Sequence, residues 1–277
     1  MNLDRRLLTA AYLTAKGLGL FYVMNKISPY ASILMFHRVN DHDSDCLSVR
    51  VRVFDEMLQI LKNDYHVISL SELVNSVSAG REIEEGTVVI TFDDGYKDNF
   101  SCAAPLLKKY GLPATFFITS RYIGTDRVFP WDQNNTSYNS VMNWDEVREL
   151  CRMGFDIGGH TLNHVNLGIV PIDEARREIV ESKQGIETEI GRKITSFAYP
   201  FGARDCIRDD IYPIIREAGF TCCCSGYGGK VTLQSDPFRL NRVVVYQTTD
   251  EMLMEIDNFM TYFDGRMRLM GHGTFNR

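Results

Sequence analysis

The stretch Thr87-Val88-Val89-Ile90-Thr91-Phe92-Asp93-Asp94-Gly95-Tyr96 is a short apolar run that ends abruptly in two carboxylates and a glycine. A run so rich in β-branched residues, with no polar alternation, reads as a strand buried on both faces. Two acids at the carboxyl end of such a strand stand where α/β proteins build their sites. Taken alone, Asp-Asp-Gly is better described as a solvated turn with a helix N-cap. The neighbouring sequence decides between the two.

Working outward, apolar runs alternate with stretches of helical period. Strands are expected at Ile33 to Val39, His66 to Leu70, Thr87 to Phe92, Ala114 to Ile118, Phe155 to Gly158, Ser196 to Tyr199, Phe220 to Cys224 and Arg242 to Tyr246. Helical stretches fall near 53–63, 71–79, 98–110, 144–153, 172–190, 207–218 and 249–262. In the longest, Ile172, Ala175, Ile179, Ile186 and Ile190 form one stripe, with Arg176, Glu181 and Glu187 facing away. Ser69 with Glu72, and Asn143 with Glu146, each fit a capping box. The Asn- and Ser-rich segment Thr125 to Tyr138, around Trp131, reads as a long functional loop. The fold class is α/β: a single distorted (β/α) barrel of seven or eight largely parallel strands over 31–277, with its loops after the strands building the site.

Composition supports a folded protein and excludes several classes. The chain has 277 residues, 44% hydrophobic and 24% charged, with 21 Gly and 8 Pro, which is neither disordered nor repetitive composition. A net charge of −6 offers no clustered basic surface, so nucleic acid is not expected as a partner. The seven cysteines, three of them consecutive at Cys222, Cys223 and Cys224, form no CxxC pair and no disulfide pattern. In a strand those three alternate faces, so they cannot jointly clasp a metal and read as buried, inert thiols.

Residues 1–30 form a separate helical segment. Leu7, Leu8, Ala11, Leu18, Phe21 and Met24 make it apolar, and Arg5, Arg6, Lys16 and Lys26 surround it. Lys16 interrupts the run, and no small-residue cleavage site follows, which argues against a signal peptide and a spanning helix. Packing on the domain is expected ahead of a peripheral membrane contact. These features together favour a cytoplasmic location, at the membrane face if residues 1–30 touch it.

Two more strand ends carry chemistry. Asp156-Ile157-Gly158-Gly159-His160-Thr161-Leu162-Asn163-His164 supplies two imidazoles four residues apart, behind a glycine pair that suits close backbone approach. Ser196-Phe197-Ala198-Tyr199-Pro200-Phe201-Gly202 ends in a rigid turn that either aims a backbone amide into a site or simply terminates the strand. One carboxylate and two neutral imidazoles make a three-ligand set with room for water, and the second acid of Asp93-Asp94 is left over as a general base.

These segments together resemble the polysaccharide deacetylase family, carbohydrate esterase family 4, in its branch with a Phe-Ala-Tyr-Pro third motif. The likeness covers roughly residues 31 to 250. Leu34-Met35-Phe36-His37-Arg38-Val39 resembles the branch's start, Thr91 to Tyr96 its first motif, His160 to His164 its second and Phe197 to Gly202 its third; Pro113 to Phe117 and Trp144 also match. The resemblance implies a deformed barrel and metal-dependent hydrolysis of an N-acetyl amide on a glycan or glycan precursor, including a lipid-linked saccharide. It implies that Asp94, His160 and His164 hold one divalent metal, zinc being the chemically safest assignment and cobalt, nickel or manganese being accommodated by the same donors. It further implies Asp93 as the base, the backbone N–H of Phe201 as an oxyanion donor, and Thr161 as a brace of the second-motif loop. Tyr96, Tyr199, Pro200 and His37 are expected to line the substrate groove, although a satisfied core histidine also describes His37.

Two departures stand out. Ala198 occupies the place where many members carry an arginine that orients the base, and Arg242 is the candidate to replace it. The family's last motif supplies a histidine as general acid, and Leu269-Met270-Gly271-His272 is the nearest match, making His272 the candidate. Alternatives are a catalytically silent glycan-binding barrel and a glycoside hydrolase, which needs two carboxyls about 5–10 Å apart across the sugar and no metal.

Overall fold

The strand predicted at Thr87–Phe92 is an interior strand of a parallel sheet in the computed structural model of the chain, which describes residues 5–20, 29–42, 47–133, 139–245 and 247–259. In chain order the main strands are β1 (Ala31–Phe36), β2 (Arg38–Val39), β3 (Ser48–Val49), β4 (His66–Val67), β5 (Thr87–Phe92), β6 (Thr115–Ile118), β7 (Asp156–Gly159), β8 (Ser196–Ala198), β9 (Cys222–Cys224) and β10 (Val243–Val244). The helices are α1 (Arg5–Gly17), α2 (Val51–Asp64), α3 (Leu70–Ser78), α4 (Ala104–Tyr110), α5 (Trp144–Arg152), α6 (Ile172–Ile190), α7 (Ile211–Glu217) and α8 (Thr249–Ile256).

The sheet runs β10-β1-β5-β6-β7-β8-β9, with β4 pairing with the start of β5. It curls into a distorted barrel. The ends β9 and β10 do not pair directly; the segment leading into β10 bridges them, with Ser225 N–H donating to the Leu240 carbonyl and Leu240 N–H to that of Cys223. Strand β1 is shorter than the run Ile33–Val39 suggests, because the chain breaks at His37 and starts the separate β2–β3 pair.

Alternation along each strand separates two cores. Ile33, Val89, Phe117, Ala198, Cys222 and Cys224 point into the barrel, where Leu70, Leu73, Val74 and Val77 of α3 close its lower end. Leu34, Phe36, Ile90, Phe92, Phe116, Phe197 and Cys223 point outward, under α2 and α4 to α7. Cys222 and Cys224 thus face the interior and Cys223 the outer layer, and burial pushes all three thiols up, Cys224 to about 12. They are unreactive packing groups at neutral pH.

Gly158 shows why a glycine pair precedes the second motif: a Cβ there would stand 2.4 Å from the Phe117 ring and 2.8 Å from Ser196 Oγ. The box at Asn143 and Glu146 forms in both directions. At Ser69 only half of it forms: Ser69 Oγ accepts from Glu72 N–H and also meets Ser71 Oγ. Helix α1 packs on α8 through Leu8 and Tyr12 against Met254 and Phe259, with Tyr12 Oη donating to Asp257. Its other side leaves Leu7, Leu13 and Leu18 exposed, and no described helix is long and apolar enough to cross a membrane.

Candidate active site

Strands β1, β5, β7 and β8 all deliver their carboxyl ends to one cavity of about 350 Å³, whose lining includes His37, Asp93, Asp94, His160, His164 and Phe201. Parallel strands in register bring these residues together from widely separated points of the chain. Backbone geometry at the strand ends is unusual. Five non-glycine residues among those described have positive φ, and four of them, Asp94, Thr161, His164 and Phe201, belong to the three motifs. Such strain persists where the surrounding packing enforces it, and it concentrates at functional sites.

Asp94 Oδ1 lies 3.5 Å from His160 Nε2 and 3.2 Å from His164 Nε2. The three candidate ligand atoms lie within 4.8 Å of one another. Asp94 Oδ1 is buried and makes no hydrogen bond, although both imidazoles face it. His160 Nδ1 lies 2.8 Å from the Ala198 carbonyl, which can only accept, so Nδ1 carries the proton and Nε2 presents its lone pair. An orphaned carboxylate oxygen and an imidazole lone pair aimed at one point fit a divalent cation. Burial raises the Asp94 carboxyl, but His160 and His164 more than offset it and hold it well below the ordinary carboxylate range.

Asp93 does not join this cluster. Both its oxygens are taken by Arg242, from NH1 at 2.6 Å and NH2 at 2.7 Å, and all of these groups are buried. Arg242 is itself fixed by Nε donating to the Ser225 carbonyl and NH1 to Thr91 Oγ1. Burial pushes the Asp93 carboxyl up, while Arg242 and His160 pull it further down, so it stays ionised. Arg242, the candidate to replace the arginine missing at Ala198, thus pairs with Asp93 through both of its terminal nitrogens.

Phe201, with φ +64° and 55% exposure, sits at the rim, and its N–H donates to no described residue. Gly202 beside it approaches Gly226 so closely that a Cβ would lie 2.4 Å from the Gly226 nitrogen. Thr161 Oγ1 accepts from His164 N–H at 3.0 Å. His37 lines the cavity and is not a satisfied core histidine: among the described residues its ring has no hydrogen-bond partner, and burial lowers its basicity. Tyr199 lines the cavity from a buried position, and Pro200 is buried outside it. Tyr96, expected in the groove, is instead buried; its hydroxyl accepts from Trp131 Nε1 and donates to Asp132. His272 lies outside the described residues.

Two supports escaped the sequence reading. Glu178 of α6 is buried and accepts from the N–H groups of Leu162 and Asn163 and from Asn163 Nδ2, so it holds the second-motif loop. Its signal was an acid at a position adjoining the apolar stripe of α6. Arg38 and Asp132, a buried pair at 2.6 Å, tie β2 to the turn that carries Trp131.

Comparison with known proteins agrees with this geometry. The model of the polysaccharide deacetylase family matches residues 80–223, more than half of the chain. YxkH of Bacillus subtilis, which carries the family's name, is 29% identical over 214 residues, 77% of this chain and 70% of that protein. The poly-β-1,6-N-acetyl-D-glucosamine N-deacetylase of Staphylococcus epidermidis is 27% identical over 220 residues, 76% of this chain and 73% of its own length. In fold, the chain resembles the Streptococcus pyogenes deacetylase PplD in complex with acetate, with TM-score 0.70 and 21% identity over 83% of this chain and 99% of that one. It also resembles IcaB from Ammonifex degensii, with TM-score 0.69 and 22% identity over 82% and 97%.

Proposed function

The chain belongs to the polysaccharide deacetylase family, and from that premise we propose that it is a metal-dependent N-deacetylase that removes acetyl groups from an N-acetylated glycan. The observation that carries this reading is the division of labour between adjacent acids: Asp94 converges with two imidazoles, while Asp93 is held apart by Arg242. The curated relatives that deacetylate poly-β-1,6-N-acetyl-D-glucosamine support the glycan as substrate.

Asp94, His160 and His164 would hold the cation, for which zinc suits a mixed nitrogen and oxygen donor set. When bound, it supplies a Lewis acid that polarises the acetamide carbonyl and activates water. Asp93, kept ionised and oriented by Arg242, takes the proton from the attacking water. The free N–H of Phe201 stabilises the charge that develops on the carbonyl oxygen. The proton that Asp93 takes up has to reach the departing amine, and His37, which burial makes less basic than an ordinary imidazole and which reaches the cavity with an unencumbered ring, would receive it and pass it on. A glycoside hydrolase fits less well, because the only carboxylates in the described lining are Asp93 and Asp94, both already engaged on one side.

Acetate release from N-acetylglucosamine oligomers, measured with and without added zinc, tests the reading. Release that needs the metal and is lost in Asp93→Asn is the expected result. Cleavage of glycosidic bonds, or oligomer binding with no acetate formed at any metal concentration, would overturn it.

A further inference from the structure

Tyr122, Phe129 and Trp131 form a stack of parallel rings beside the site. Tyr122 and Phe129 lie 4.2 Å apart with planes at 7°, and Phe129 and Trp131 lie 4.9 Å apart at the same angle. The stack starts from buried Tyr122 and Phe129 and ends at Trp131, which is 39% exposed and lines the cavity. No further described ring lies parallel to Trp131.

Its only polar atom is satisfied internally. Trp131 Nε1 donates to Tyr96 Oη at 2.8 Å, and Tyr96 Oη donates to Asp132 Oδ2 at 2.6 Å. Asp132 Oδ1 also accepts from Arg38 at 2.6 Å and from Asn139 at 2.9 Å. A turn held by buried charge and hydrogen bonds fixes the plane of an indole that itself asks for no polar partner. His164 stands 4.9 Å from it, centroid to centroid, and Phe201 forms a second wall at 6.3 Å, inclined by 76°. An exposed aromatic face beside a hydrolytic centre matches the apolar C–H face of a pyranose ring, and not a charged or extended peptide group.

We propose that Trp131 is the platform on which a pyranose ring of the glycan lies, extending the Tyr122–Phe129–Trp131 stack by one ring. Tyr96, Asp132 and Arg38 are positioning residues that hold that platform. The inference rests on the N-deacetylase reading for its choice of ligand.

The chain has two tryptophans, so Trp144→Phe leaves Trp131 as the sole indole reporter. The Trp144→Phe protein, titrated with N-acetylglucosamine tetramers, is expected to show a saturable blue shift, and Trp131→Phe, which keeps Trp144, to stay silent. In acetate release, Trp131→Ala raises KM about tenfold while kcat changes by less than about threefold, and Trp131→Phe recovers part of the loss. Acetate release from the tetramer with no emission change would overturn the platform and leave the N-deacetylase reading standing. A loss in Trp131→Ala confined to kcat would also overturn it, making the ring a prop for His164. A saturable shift with no acetate released keeps the platform and defeats the N-deacetylase reading, and silence in both measurements defeats both.

Discussion

Arg242 and Asp93, 149 residues apart in sequence, meet in a buried two-pronged ion pair with N–O distances of 2.6 and 2.7 Å. Planar pairing of this kind sets direction as well as charge, and a lysine cannot reproduce it. Arg242→Lys should therefore fold and bind metal yet lose about a hundredfold in kcat. Arg242→Ala leaves a carboxylate buried without its partner and should cost about 3–5 kcal/mol in stability. Steady-state acetate release and urea unfolding on both variants separate the two effects; unaltered kcat in Arg242→Lys would mean that Asp93 needs no such alignment.

The three candidate ligand atoms converge in the folded chain and have no reason to do so in the unfolded one, so metal binding is coupled to stability. Zinc at about a hundred times its dissociation constant should add about 2.7 kcal/mol, which raises the melting temperature by about 5–10 °C. Asp94→Asn or His164→Ala should abolish that rise, and a chelator should reverse it in the unaltered protein. Differential scanning calorimetry reads it directly.

His37→Gln should keep the zinc-dependent rise in melting temperature and lose about a hundredfold in kcat, as removal of a proton donor does. His37 follows β1 directly and reaches the same cavity as Asp93 and Asp94, but is separate from the converging trio. A variant with full kcat would return the donor role to another group.

Much of this site could be read from the chain because the signals are local. An apolar run that stops at Asp93-Asp94, a glycine pair before His160, and a proline–glycine turn around Phe201 each mark a strand end in a few residues. The barrel then brings them together through parallel registers that the order of strands and helices already implies. What stayed hidden depends on non-local partners. Tyr96 is a tyrosine in the first motif whether it faces substrate or, as here, lies buried and holds Trp131; only the position of Asp132 decides. Glu178 adjoins an apolar stripe and reads as surface charge until three N–H groups of the second-motif loop are found at its carboxylate. Strand β1 ends early at His37 because the chain turns there to pair β2 with β3, a choice that short-range pattern does not encode.

Asp98 gives the fold a pH dependence of its own. Burial raises its carboxyl to about 6, against hydrogen bonds from Asn40, Val39 and Asn99 that lower it. A carboxyl that is less acidic folded than unfolded binds more protons in the native state between about pH 4 and 6. Its contribution therefore favours folding at pH 4 and is lost as pH rises through 6, an effect of about 3 kcal/mol. Asp98→Asn lacks this titration. The difference in unfolding free energy between the two proteins, measured by denaturant at a series of pH values from 4 to 7.5, should change in that direction and by that order. A difference independent of pH would show that Asp98 ionises in place without cost.

Glu178 is the support whose removal should travel furthest into the site. Its Oε2 accepts from the N–H groups of Leu162 and Asn163 at 3.0 and 2.9 Å, and Oε1 accepts from Asn163 Nδ2 at 2.6 Å. Glutamine keeps one accepting oxygen and turns an NH2 group toward the donor that the other oxygen served, so at least one hydrogen bond becomes a donor–donor clash. The cost is about 1–3 kcal/mol in stability. Because Leu162 and Asn163 lie between His160 and His164, both with backbone set by this loop, the clash also spreads the imidazoles. Glu178→Gln should therefore weaken zinc binding about ten- to a hundredfold, read by competition with a chromogenic chelator. Ser182, one turn further along α6, donates to the Thr161 carbonyl at 3.0 Å, and Ser182→Ala should move zinc affinity in the same direction by a smaller factor. If Glu178→Gln lowers stability but leaves the zinc affinity intact, the loop's geometry is set by Thr161 and Ser182 without it.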